Sequence, residues 1–289
     1  MDAASFLIQL LNGVQYGFLL FLVASGLTLI FGIMGVINLA HGSFYMLGAY
    51  LAYWFTGITG NFFLALALAL PVMVAFGFVV ERFAISYLYN RDHLYQVLLT
   101  FGLILILNEG QKILWGSEFH SIPIPEALSG GIPLGDTQVY PVYRLFMSLV
   151  CLGVAAALFL VIQRTRLGMM IRAGADNREM TQALGIDIGR IFAIVFGLGA
   201  GLAGFAGMIG APVSSVYPGM GDHILIISFV VVVIGGIGSI KGAFVGAMLI
   251  GLADTFGKVL LPDVSSMVVY ALMVLVLIWR PQGLFGRTL

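Results

Sequence analysis

Few residues in this chain of 289 have the type and spacing that covalent or metal chemistry requires. Its four histidines, His41, His93, His120 and His223, stand far apart, and none shows a metal-ligand spacing. The single cysteine, Cys151, lies in an apolar run, which excludes an internal disulfide and a multi-cysteine metal site. No GxSxG motif marks a nucleophile. Gly235-Gly-Ile-Gly-Ser-Ile-Lys241-Gly approaches a phosphate loop but lacks the Gly-Lys-Ser/Thr ending that positions phosphates and Mg²⁺. Gly199-Ala-Gly-Leu-Ala-Gly204 fits GxGxxG, yet inside an apolar helical run and not after a strand, so a dinucleotide site is not supported. The spacing of Gly197 and Gly201, repeated at Gly13/Gly17 and at Gly238/Gly242/Gly246, instead permits close helix packing in a membrane. No catalytic site is read from the chain. What remains is non-covalent: packing, docking or binding.

Two groups of residues suit those tasks. In the first, Asp176 is followed three residues later by Glu179, the pattern of an N-cap with its capping-box partner, and Gly185 stands where a C-terminal cap ends a helix. The span Asn177 to Leu184 predicts roughly 12 Å of helix at 1.5 Å per residue, too short to be stable without packing. Met180, Ala183 and Leu184, at i, i+3 and i+4, form an apolar ridge, while Arg178, Glu179 and Gln182 can stay in water. Such a helix either docks a soluble partner or rests on the protein's own underside.

The second group lies within apolar segments, where polar side chains are costly and tend to face the protein interior or an aqueous path. Asn38, His41, Gly42 and Ser43 follow the glycine-punctuated run Phe31-Gly-Ile-Met-Gly-Val-Ile; Gly235, Gly236, Gly238, Ser239 and Lys241 form a second such place. The two faintly echo each other: His41-Gly-Ser-Phe-Tyr-Met-Leu-Gly-Ala resembles Lys241-Gly-Ala-Phe-Val-Gly-Ala with a two-residue gap. Duplicated broken helices flank translocation paths in transporters, although a glycine-rich apolar chain also aligns with itself by chance. Amides at half-helix ends beside small residues would form a weak site for a zwitterion with an apolar side chain. Alternatively, His41 and Lys241 sit at the inner membrane interface. Glu109/Lys112 and Asp254/Lys258, at i,i+3 and i,i+4, can pair locally.

The chain that must hold these groups is 61% hydrophobic and 9% charged, against roughly 25% charged in soluble domains. From Ala3 to Val80 there is no Asp, Glu, Lys or Arg. This predicts an all-α polytopic membrane protein with about eight or nine segments. The alternating short strands of an outer-membrane barrel are absent, and zero net charge gives no reason to expect nucleic-acid binding. No basic region precedes the first apolar run, so it does not read as a cleavable signal. Spans are expected near Phe6–Phe31, His41–Phe55, Phe62–Tyr87, Leu94–Leu114, Val142–Gln163, Ile191–Ala211, Gly242–Leu261 and Ser265–Trp279. Ile224–Ile234 is too short to cross alone and either extends backwards or is a half-helix. All of residues 1–289 read as a single transmembrane domain with two long loops. The loop at about 115–141 carries Glu118, Glu126 and Asp136 and no Lys or Arg; that at about 164–190 carries Arg164, Arg166, Arg172, Arg178 and Arg190. The positive-inside rule places the second loop, Arg82, Arg91, Arg280 and Arg287 in the cytoplasm and the first loop outside. Counting back puts Asp2 outside, provided Ile33–Gly42 is a turn near the inner face.

The loop stretch Gly174-Ala-Asp-Asn-Arg-Glu-Met-Thr-Gln-Ala-Leu-Gly-Ile-Asp resembles the cytoplasmic loop of LivH-type permeases, the membrane subunits of branched-chain amino-acid ABC importers. Asn38-Leu-Ala-His-Gly-Ser-Phe, Gly235-Gly-Ile-Gly-Ser-Ile-Lys-Gly and Arg280-Pro-Gln-Gly-Leu-Phe-Gly are similar to further motifs of that family, so the resemblance runs from about Ser5 to Arg287. It implies a multi-pass subunit in the bacterial inner membrane that pairs with a second, LivM-like permease. A periplasmic binding protein would deliver substrate, and ATP with Mg²⁺ would be used by two separate ATPase subunits, so this chain binds no cofactor and is no enzyme. Asp176–Gly185 becomes the coupling helix, with Ala183 and Gly185 at the small positions of the family loop, although the Glu-Ala-Ala of the wider importer signature is missing. Similar permeases carry urea or short amides. A secondary transporter or channel working without ATP is the alternative of another class, and it would have no need of the capped helix.

Overall fold

The computed structural model describes residues 3–89, 91–134 and 138–286; Asp2, Asp136 and Arg287, whose charges entered the orientation argument, lie outside the described residues. Helix α1 (Ala3–Leu29) runs into a π-helical turn (Ile30–Met34) that Gly35 ends in the left-handed region, at φ 65°. Then come α2 (His41–Thr59), α3 (Phe62–Phe83), a 3₁₀ turn (Ile85–Leu88) and α4 (His93–Trp115). The loop after α4 holds a short antiparallel ribbon of β1 (Gly131–Pro133) and β2 (Val139–Pro141), with Ile132 opposite Tyr140. Helix α5 (Val142–Arg164) leads to α6 (Arg166–Asp176), α7 (Arg178–Ala183) and α8 (Ile188–Gly210); α9 (Met220–Gly235), α10 (Ile240–Leu260) and α11 (Ser265–Trp279) complete the bundle. Among the described residues seven helical segments are long and apolar enough to cross a membrane, and Met220–Gly235 is a shorter apolar helix. The protein is a polytopic all-α membrane protein.

The layers follow from the solvent. Helix α1 is buried along its second half, from Leu19 to Leu29, and α5, α8, α9 and α10 pack around it. Helix α4 lies at the edge with Leu98, Phe101, Leu105, Ile106 and Ile113 exposed, while its buried stripe is Gln96, Thr100, Leu107 and Gln111. Apolar side out and polar side in is the arrangement that a lipid surround favours.

Glycine lets the inner helices approach to backbone contact. A methyl on Gly251 of α10 would stand 2.5 Å from the Gly13 carbonyl oxygen and the Gly17 nitrogen of α1. One on Gly77 of α3 would stand 3.0 Å from Cα of Gly197 in α8. The GxGxxG run is likewise a packing surface within α8, a methyl on Gly199 standing 3.1 Å from the Gly26 carbonyl oxygen of α1. Gly238 departs from that reading, because it lies in the turn before α10 at φ 78°, and only Gly242 and Gly246 pack helix to helix.

Helix ends are capped by nearby side chains. Asn61 opens α3, its Oδ1 accepting from Phe63 N at 2.9 Å and Leu64 N at 3.2 Å. Asn61→Ala is expected to cost about 1 kcal/mol, measured by thermal unfolding of the purified protein in detergent.

One expectation is corrected. Ile33–Gly42 is not a simple turn at the inner face. The chain reverses at Gly35 and climbs back beside α1, so that His41 Nε2 donates to the Val23 carbonyl at 2.9 Å. Val23 lies eleven residues before Met34, about 16 Å of helix, so α2 starts well inside the bundle. The reading of His41 as an interfacial residue fails for the same reason, since it is fully buried, whereas Lys241 is exposed. Helix α9 extends backwards to Met220 as one of the two alternatives foresaw, and it remains short.

Candidate functional site

Helix α7 is built as a short capped element, but with shifted bounds. The residues before it form a further helix, α6, whose last residue is Asp176, so the extended residue that opens α7 is Asn177 (φ −150°, ψ 104°). Asn177 Oδ1 accepts from Met180 N at 2.9 Å, and this replaces the expected Asp176–Glu179 capping box. At the other end Gly185, at φ 82°, donates to Gln182 O at 2.9 Å, and Ile186 N donates to Thr181 O at 3.3 Å. These are the two bonds of a Schellman cap. Thr181 is buried against the body of the protein, while Ala183, Met180 (59% exposed) and Leu184 (74% exposed) face outward. The described residues leave this ridge uncovered.

Arg178 does not stay in water. Its Nη2 donates to the Ile33 carbonyl oxygen in the π-helical turn at 3.1 Å, and its guanidinium lies 5.1 Å from the Phe192 ring centroid in α8. Gly35 leaves room for it, since a methyl there would stand 3.1 Å from Nη2. Tyr89 meets the Phe192 ring edge-on at 4.9 Å and donates to Glu81 Oε1 of α3. Burial first, and then the bond to Glu81, push the Tyr89 phenol well above its usual range, so it remains a donor. Through this one arginine α7 is tied to the π-helical turn that ends α1 and to α8.

The two glycine-punctuated stretches meet: a methyl on Gly32 would stand 2.6 Å from Cα of Gly238. Beyond that contact their residues part company. Asn38, His41, Gly42 and Ser43 are buried in the interior. Asn38 Oδ1 accepts from Ala40 N at 3.1 Å, and Asn38 Nδ2 and His41 Nδ1 have no partner among the described residues. Gly235 and Gly236 are instead covered by the C-terminal segment, with Leu284 N donating to Ile234 O at 2.8 Å and Phe285 N to Gly235 O at 3.0 Å. Ser239 caps α10 by accepting from Gly242 N at 3.1 Å. Both segments of the sequence echo thus open a helix, α2 and α10.

A cavity of about 460 Å³ lies between α1, α5, α9 and α10, on the side where α5 begins, and none of Asn38, His41 or Ser43 lines it. Its walls include Asn12, Gln15, Arg144, Asp254 and Lys258, and Tyr45, one turn after His41, also lines it. The sequence reading missed Arg144. The available signal was that it is the only Lys or Arg between Lys112 and Arg164, set just inside an apolar run.

Known proteins resemble this chain along nearly its whole length. The family described as branched-chain amino acid transport system / permease component matches residues 9–277. The high-affinity branched-chain amino acid transport system permease protein BraD of Pseudomonas aeruginosa is 34% identical, over 98% of this chain and 96% of its own. The corresponding permease protein LivH of Escherichia coli K12 is 31% identical over the same shares. The permease protein LivM of Salmonella typhimurium is 30% identical over 91% of this chain and 67% of its own. No solved structure matches. A family match that takes in nearly every membrane helix, together with relatives aligned almost end to end, places the chain in the branched-chain amino-acid transport permease family.

Proposed function

We propose that this chain is the LivH-like permease subunit of an ATP-driven importer of branched-chain amino acids in the bacterial inner membrane. A LivM-like permease is its partner, two ATPase subunits bind ATP and Mg²⁺ beneath the pair, and a periplasmic binding protein delivers substrate. In this reading the α6–α7 loop is cytoplasmic and the loop of β1 and β2 periplasmic. Helix α7 is the coupling helix, with Asp176 and Asn177 at its start and Leu184 and Gly185 at its end.

The observation that carries the reading is the orientation of α7. Its apolar ridge points away from the protein while Arg178 points back to the broken end of α1. A hydrophobic ridge on a capped helix at the surface suits insertion into a groove of a soluble subunit, where burying a leucine contributes about 1.5–3 kcal/mol. Motion of that helix reaches α1 through a direct hydrogen bond. Leu184→Asp puts a charge into that contact and is expected to abolish co-purification of the ATPase subunits and leucine uptake together. Unchanged assembly and uptake would remove the docking role of α7.

A further inference from the structure

We infer that the cavity between α1, α5, α9 and α10 binds a zwitterionic α-amino acid with an aliphatic side chain, Arg144 receiving the carboxylate and Asp254 the ammonium group. This deepens the importer reading and rests on it. The α1 wall grades from polar to apolar, through Gln9, Asn12 and Gln15 to Leu19, over about 15 Å of helix. On α5, Arg144 stands one turn before Met147. The guanidinium uses Nη1 to donate to Asn12 Oδ1 at 2.6 Å, and among the described residues no carboxylate lies within 4.0 Å of it. Most of its five donors are therefore open to an anionic oxygen pair, the geometry a guanidinium matches best.

Asp254 is 6% exposed and accepts through Oδ2 from Lys258 Nζ at 2.6 Å. The lysine side chain is 58% exposed and reaches water without the carboxylate moving, so an incoming ammonium can take its place. Gln15, also 6% exposed, has among the described residues only the Met147 sulfur as a partner, at 3.5 Å, which is a weak acceptor for an amide. Leu19 and Met147 are buried and supply apolar surface beside it. A cation is repelled by Arg144 and an anion by Asp254, whereas a zwitterion satisfies both. The volume falls within the range of small-ligand sites.

The test is saturation-transfer difference NMR on the full chain in lipid nanodiscs, with leucine, leucinamide and N-acetyl-leucine as probes, alongside leucine uptake by the assembled transporter. Leucine is expected to bind, and leucinamide and N-acetyl-leucine, each lacking one charge, to bind about tenfold more weakly. Arg144→Gln is expected to erase the preference over leucinamide alone, and Asp254→Asn the preference over N-acetyl-leucine alone. The analogue series on the unmodified chain needs no variant to fold. Equal binding of all three probes, or binding unaltered in both variants, overturns the site. Absent binding with ATP-driven uptake intact overturns the site and leaves the importer standing; binding with no ATP-driven uptake overturns the importer and leaves the site.

Discussion

Replacing Arg178 with glutamine is expected to reduce ATP-driven leucine uptake about tenfold or more while the ATPase subunits still co-purify and still hydrolyse ATP. The residue is off the docking ridge: Met180 and Leu184 face outward, and Arg178 turns inward to the Ile33 carbonyl oxygen at 3.1 Å. That carbonyl belongs to the π-helical turn, where α1 ends and the chain reverses. A charge-assisted hydrogen bond contributes about 1.5–3 kcal/mol, and each 1.4 kcal/mol is roughly a factor of ten. Glutamine loses the charge, the reach and the stacking over Phe192 together. Lysine keeps the charge but not the planar fork, so Arg178→Lys is expected to fall between the two. The pattern of bound and active ATPases with little uptake separates a broken link from a broken dock, because Leu184→Asp removes assembly as well. Uptake at the unmodified level in Arg178→Gln would show that α7 reaches the membrane helices by another route.

The difference between the two arginine readings shows where sequence legibility ends. Most spans were legible because charges are so few that Arg82, Asp92 and Arg164 each fall within or beside the last turn of a helix or the entry to the next; the expected span at His41–Phe55 forms α2, which is not among the seven helices apolar enough to cross. The ridge on α7 was legible because helical spacing alone sets which side chains share a face. Neither signal says which way a face points. Arg178 reads as a solvated charge until α1 is seen to end beside it. The same holds for His41: a glycine-rich break predicts that the helix stops, but the left-handed Gly35 and the irregular segment and turn that follow it to Ala40 decide that α2 begins deep in the bundle. Helix α6 was hidden differently. Its buried positions are Gly168, Ile171 and Gly174, two of them without side chains, so Arg166 and Arg172 dominated the composition and the segment read as loop. That missing helix also moved the cap from Asp176 to Asn177. Arg144 and Asp254 come from helices far apart in the chain, and only packing shows that they share one cavity.

The crossing of α2 and α8 carries the second large effect. Gly207→Ala is expected to destabilise the purified protein by about 3 kcal/mol or more, and Gly207→Leu to prevent its accumulation in the membrane. A methyl at Gly207 would overlap the Tyr45 carbonyl and stand 3.1 Å from the Ala49 nitrogen, and one at Gly48 would overlap the Gly204 carbonyl. Every obstacle is backbone, so no rotamer change relieves it and the helices must separate along the crossing. Helix propensity acts in the opposite direction, since alanine is favoured over glycine by about 1 kcal/mol in a helix interior. The overlap is the larger effect and sets the sign. Gly153 of α5 provides the control, because a methyl there meets nothing within 4 Å, and Gly153→Ala is expected to leave the protein unchanged or slightly more stable. Thermal unfolding in detergent compares the two variants, and equal midpoints would contradict backbone contact at the crossing. The crossing also matters for function as proposed. Helix α8 starts beside the docking loop at Ile188 and ends at Gly210 on the cavity wall. Held against α2 backbone to backbone at this crossing, it has little slack there to absorb a displacement from the docking end before it reaches the cavity.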